Sequence, residues 1–363
     1  MTNLERAKAY LMAYETPNQN CIVSPASLDM ALGLVNEAGS DAVRSELNAL
    51  LGTTDYAVTA CSTIDRSEDV SSSMRSQLRF ANSLWVNNEY TLRPSFVGVA
   101  KSHYDAEVAP VDVRDSVKVA NLINSWCAEK TCGLIPQIVS PDNINEGLAM
   151  LLCSSLYFKD KWRSIFAVDS GKFTLEDGTV QELDEFLYTD DATYMWAETA
   201  EAFGKEYKSG IKFVGILPAV GVGLEGIDFD ALLASETTQY EVHASMPKLD
   251  YEFTCQGLVE MLKSLGIKAL FDSGLGGLNK LVKESESVSV SGIVQKCRII
   301  LDEEETEAAA VTEMECCFDG CALDFDEPIS VIKEVHLDRP FYYLIVDSFS
   351  NQVLFAGSVK EPF

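Results

Sequence analysis

Gly221-Val222-Gly223-Leu224-Glu225-Gly226 is a G-x-G-x-x-G, the pattern of a dinucleotide-binding turn. In such a turn a strand runs into glycines, and backbone N–H groups at the next helix start hold a pyrophosphate. The apolar run 211–220 before it could be that strand, but Pro218 interrupts it, and a central strand does not tolerate proline. No alternating βα units surround it, so no cofactor is expected. The three histidines, His103, His243 and His336, stand near neither each other nor a cysteine, so there is no metal-ligand spacing and no metal is expected. Nothing singles out a Cys–His nucleophile pair. Carboxylates are too many to select an acid and a base. These residue types point to no active site, and the chain is read as a non-enzyme.

Ten cysteines are present, most of them inside apolar runs such as LLCSSLYF and QKCRII, with no C-x-x-C pair. Their plain reading is buried free thiols in a reducing compartment. Cys316, Cys317 and Cys321 differ, because they lie in a polar stretch. A disulfide or a metal stays open for these three.

Charge excludes whole classes of partner. With 56 acidic and 28 basic side chains among 363 residues, the formal net charge is −28. Such a surface repels phosphate backbones and anionic lipid, so neither nucleic acid nor membrane is an expected partner. No apolar run approaches the ~20 residues of a membrane span. The opening MTNLERAKAYLMAYE is amphipathic and mixed in charge, unlike a signal peptide. Together with the thiols this leans toward an intracellular protein; secretion with a trimmed signal is the alternative.

The stretch Leu301–Pro328, LDEEETEAAAVTEMECCFDGCALDFDEP, carries the most information. Its even positions, Thr306, Ala308, Ala310, Thr312, Met314 and Cys316, are small, apolar or weakly polar. Four of the odd positions, Glu305, Glu307, Glu313 and Glu315, are carboxylates, with Ala309 and Val311 between them. Period-two alternation suits a strand with one buried face and one wet face. The composition is poor for a strand, so the stretch reads as a conditional one. A solvated acidic loop and a helix remain as alternatives.

The elements around it describe an α+β chain. Residues 3–14 set Leu4, Ala7, Leu11 and Tyr14 on one helical face. Ser24-Pro25 starts a helix after a short strand at 21–23, and Ser40 starts another that stops at Gly52. Residues 53–76 read as polar and irregular. The long apolar run 148–158 suits a central strand covered on both faces. Several antiparallel strands are expected over 172–216, with an Asp177-Gly178 turn. A long strand over 288–301 leads into the acidic stretch, and 335–346 with 353–359 reads as a closing hairpin. No internal repeat or long linker divides residues 1–363, so one domain is expected.

Four stretches, in order, resemble the serpin family. CIVSPASL at 21–28 is similar to its strand followed by an SPxS helix start. LYFKDKWRSIF at 156–166 resembles its strand ending in FKGxW. ILDEEETEAAAV at 300–311 resembles its hinge EEGTEAAAA. RPFYYLI at 339–345 and LFAGSV at 354–359 resemble its C-terminal signature.

The resemblance implies three β-sheets, about nine helices and an exposed reactive-centre loop at about 303–334, in a monomer. It implies a suicide inhibitor that traps a serine or cysteine protease covalently as the cleaved loop enters the main sheet. A non-inhibitory binding or chaperone member of the same fold is the alternative. The hinge comprises Glu304, Glu305, Thr306, Glu307, Ala308, Ala309, Ala310, Val311 and Thr312, with Glu305 where the family has glycine. Counting the family's usual spacing from Glu303 puts the cut bond at Asp319–Gly320, with Phe318, Leu323 and Phe325 as alternatives. Ser24, Ser27, Ser155 and Gln295 correspond to the polar cluster beneath the opening of the main sheet, and Trp162 to the tryptophan at its top.

Overall fold

Ser24 and Ser40 start helices in the way their hydroxyls dictate, each accepting the N–H of the residue three further on. The structure is a computed structural model, and it describes residues 1–72, 76–275, 277–284, 288–306 and 331–362. The chain opens with α1 (Asn3–Met12), β1 (Cys21–Val23), α2 (Pro25–Ala38), α3 (Asp41–Leu51) and α4 (Tyr56–Ser72). Next come β2 (Gln77–Asn87), α5 (Pro94–Tyr104), β3 (Glu107–Val111), α6 (Ser116–Lys130) and β4 (Met150–Lys161). Five strands follow, β5 (Ala167–Thr174), β6 (Val180–Thr189), β7 (Thr193–Ala197), β8 (Ala200–Glu206) and β9 (Ile211–Pro218). After α7 (Phe229–Ala234) come β10 (Glu241–Pro247), β11 (Leu249–Cys255), α8 (Leu258–Ser264) and β12 (Gly292–Leu301). The last elements are the two-residue β13 (Glu305–Thr306), β14 (Ile332–His336), β15 (Phe341–Asp347) and β16 (Gln352–Val359).

The strands form three sheets, as expected of the α+β class. The largest has the order β11-β12-β4-β2-β3, with β13 against β4. The second is β1-β16-β15-β9-β8-β7 and the third β14-β10-β6-β5. Eight α-helices lie among the described residues.

Strand β4 is covered on both faces, which explains its nearly continuous apolar sequence up to Phe158. Leu152, Leu156 and Phe158 join the main core with α2, while Leu151 and Cys153 pack with Ile123 and Cys127 of α6.

Two expectations need correction. Residues 56–72 form a helix, although 53–76 reads as irregular. Its inward face is Tyr56, Ala60, Thr63, Ser67 and Val70, a helical repeat built largely from small and polar side chains. The expected closing hairpin is β15 with β16 alone; β14 belongs to the third sheet, parallel to β10.

Candidate functional site

The main sheet is half open between β12 and β4. These strands pair in parallel only from Gly292↔Leu151 to Gln295↔Ser154. Beyond Gln295, β12 keeps its ladder with β11 as far as Leu301, and β4 keeps its ladder with β2 as far as Lys159. Among the described residues, 155–159 and 296–301 thus flank a gap with no strand pairing across it. After Leu301 the chain turns back onto β4. Trp162 N–H donates to the Glu304 carbonyl at 3.1 Å and Phe166 N–H to the Glu303 carbonyl at 3.0 Å. Glu305 and Thr306 then pair antiparallel with Lys161 and Asp160. The chain that leaves β12 therefore lies along β4 at the mouth of the gap.

The start of α2 and Gln295 form its floor. The Gln295 side-chain amide brackets the Ser24 backbone, accepting Ser24 N–H at 3.1 Å and donating to the Ser24 carbonyl at 2.9 Å. The Ser24 hydroxyl donates to the Leu354 carbonyl at 2.8 Å. Ser27 Oγ lies 2.6 Å from Ser154 Oγ and donates to the Ser155 carbonyl at 2.9 Å. Ser155 therefore joins the cluster only through its backbone. The side chain that meets Ser27 is that of Ser154, and the hydroxyl of Ser155 has no hydrogen-bond partner among the described residues. The cause is the period of two along a strand: Ser154 shares a face with Leu152 and Leu156, Ser155 with Cys153. Parity counted from the apolar neighbours identifies Ser154. Across the ladder from Ser154 lies Asn82, 1% exposed, whose amide atoms also lack partners among the described residues.

Aromatic and charged groups frame the mouth. Trp162 is buried, stacks on Tyr207 at 4.0 Å between centroids, and meets Phe166 edge-on at 5.1 Å. Its indole N–H donates to the Asp302 carbonyl at 2.9 Å. Trp162→Ala is expected to cost about 3–5 kcal/mol, as buried tryptophans do when truncated. Urea unfolding measures this, and an unchanged midpoint would contradict the packing described. Lys248 Nζ lies 2.7 Å from Glu303 and 3.2 Å from Glu185, joining the turn after β12 to β6. Partial burial works to raise the Glu303 pKa, but the Lys248 ammonium outweighs it and holds the carboxyl below its ordinary value. Asp160, at the position paired with Thr306, is fully buried.

Of the expected site residues, Ser24, Ser27, Trp162, Gln295, Glu304 and the backbone of Glu305 and Thr306 come together here. Glu307, Ala308, Ala309, Ala310, Val311 and Thr312 lie outside the described residues. So do Cys316, Cys317, Phe318, Asp319, Gly320, Cys321, Leu323 and Phe325. The glycine motif 221–226 follows β9, which is antiparallel to both its neighbours, so the βαβ setting of a dinucleotide site is missing. His243 Nε2 sits 3.1 Å from Glu241, and His336 Nδ1 sits 2.8 Å from Ser245 Oγ. Among the described residues no group of His, Cys, Asp and Glu could hold a metal ion. The seven described cysteines are free. Burial pushes the thiols of Cys21 and Cys127 up to about 12, which makes them poor nucleophiles.

Comparison with known proteins places this geometry. The family model described as "Serpin (serine protease inhibitor)" matches residues 8–362. Alaserpin of Manduca sexta is 30% identical over 365 residues, covering 95% of this chain and 89% of its own. The native state of Tengpin, a thermophilic serpin, superposes with a TM-score of 0.85 at 25% identity, over 99% of this chain and 93% of that one. Human thyroxine-binding globulin in complex with thyroxine shares the fold, with a TM-score of 0.81 at 19% identity over 99% of this chain and 97% of that one.

Proposed function

The chain belongs to the serpin family, and from that premise we propose that it is an irreversible suicide-substrate inhibitor of a serine or cysteine protease. What supports this most is the half-open sheet with the hinge backbone already paired to β4 at its mouth. The protease hydroxyl or thiol attacks the carbonyl of the cut residue, for which Asp319 is the proposed position. An acyl-enzyme ester or thioester forms, and the amine of Gly320 leaves. The freed hinge then continues between β4 and β12 as a new strand, carrying the attached protease with it. This is strand addition to a sheet, driven by release of strain held in the uncut chain. Deacylation by water stalls as the catalytic groups are pulled out of line, since small misplacements cost orders of magnitude in rate.

The test is incubation with caspase-like, chymotrypsin-like, elastase-like and subtilisin-like proteases, followed by denaturing gels and intact-mass analysis. A band at the summed mass is expected, and the released C-terminal fragment identifies the cut bond. An Asp319 cut points to an acid-preferring protease; Phe318 or Leu323 points to a chymotrypsin-, elastase- or subtilisin-like one. Loop cleavage without a covalent band for any enzyme would favour the alternative, a non-inhibitory binding or chaperone protein on this fold.

A further inference from the structure

Asp160 stands where the motif FKGxW has glycine, in the sequence FKDKW. Its side chain is fully buried and no cation among the described residues pairs with it. Three donors hold it instead. Ser76 Oγ donates to Oδ1 at 2.5 Å and Lys161 N–H to the same oxygen at 2.8 Å, while Ser209 N–H donates to Oδ2 at 3.0 Å. Hydrogen bonds to an ionised group are among the stronger ones, and a buried carboxylate needs them.

These donors come from three places. Ser76 immediately precedes β2, Lys161 ends β4, and Ser209 sits in the turn between β8 and β9 of the second sheet. One carboxylate thus joins the top of β4 to its neighbour and to another sheet. That same turn is further tied down: the Ser209 carbonyl accepts Arg66 Nη2 at 2.7 Å, and Arg66 pairs with Asp347. Lys208 N–H also donates to the Lys161 carbonyl at 2.9 Å.

We infer that Asp160 is a positioning residue that pins β4 at the mouth of the gap and resists its widening. Seating a strand between β4 and β12 requires them to part to two strand spacings, each ~4.8 Å. A movement of β4 by even part of that distance breaks a 3.0 Å bond to a turn fixed on a different sheet. The inference rests on reading the gap as the place where a strand enters. It concerns a residue of this chain that replaces the motif's glycine.

The test uses the full-length protein and a synthetic peptide with the sequence of residues 304–315, EETEAAAVTEME. Incorporation of the labelled peptide is followed on native gels. In Asp160→Asn one carboxylate oxygen becomes an NH₂, which cannot accept the Ser209 N–H while the other oxygen keeps its donors. Incorporation is expected to be about tenfold faster, the effect of losing one charge-assisted bond that opposes opening. Asp160→Gly, which restores the motif residue, is expected to behave likewise and serves if the asparagine variant does not fold. Ser76→Ala leaves the bond to Ser209 in place and is expected to incorporate at the wild-type rate. A merely structural role lowers the unfolding temperature without changing the incorporation rate. Equal rates in wild type and both Asp160 variants, or no uptake by any of them, overturn the pin. Uptake by the wild type without trapping of any protease overturns the inhibitor reading, while the ratio of rates still decides the role of Asp160.

Discussion

Ala310→Arg is expected to abolish inhibition while leaving a folded protein whose loop is still cut. The antiparallel register Thr306↔Asp160 fixes where a continuing strand would go. Extended by two residues per step, it would set residue 308 opposite Phe158 and residue 310 opposite Leu156, both buried in the main core. An arginine at 310 would bring an unpaired charge into that core, at a cost of several kcal/mol. Position 306 is a weaker place for the same test, because its partner Asp160 is a carboxylate that an arginine can pair with. The measurement is the number of inhibitor molecules consumed per protease trapped. It is expected to rise more than tenfold, with cleaved inhibitor accumulating in place of the covalent band. An unchanged ratio would show that residue 310 is not carried into the sheet.

Much of the scaffold is legible in the sequence because its signals are local. Ser24-Pro25 announces α2 through capping chemistry, and the nearly continuous apolar run before Lys159 announces a strand covered on both faces. Helix α4 is not legible, because a buried face containing Thr63 and Ser67 gives little hydrophobic periodicity; only packing against the rest of the molecule makes it inward. The site divides in the same way. Trp162 and Gln295 are reached by resemblance; the first stacks on Tyr207 and the second brackets the Ser24 backbone. Ser155 is one residue out, since a resemblance fixes a neighbourhood whereas the strand's alternation fixes the face. Asp160 shows in the sequence only as a departure from the motif's glycine, one acidic residue among 56. Its meaning lies in donors from residues 76 and 209, a convergence no linear spacing encodes.

Cutting the loop is expected to raise the unfolding temperature rather than lower it, by about 10–30 °C, as the following count of hydrogen bonds gives. In the uncut chain the hinge is tethered at both ends, between β12 and β14, while the edges at 155–159 and 296–301 have no strand between them among the described residues. Cleavage frees one end. A strand continuing from Thr306 can then fill the gap as far as Val311 without breaking any strand pairing across it, because 311 would lie opposite Ser155. From residue 312 onward it must displace the four residue pairs from Gln295↔Ser154 down to Gly292↔Leu151. Each parallel pair lost is replaced by ladders on both sides of the new strand. About ten net backbone hydrogen bonds at ~0.5–1.5 kcal/mol give roughly 5–15 kcal/mol. At about 2 °C per kcal/mol, the low end for chains somewhat smaller than this, that yields the stated shift. The sign separates the two accounts of the acidic stretch. A solvated surface loop that is nicked leaves the unfolding temperature where it was or slightly below, because nothing new is paired. Only a conditional strand with a gap waiting for it makes the cut protein the more stable one, and scanning calorimetry of the intact and cleanly cleaved forms decides between them.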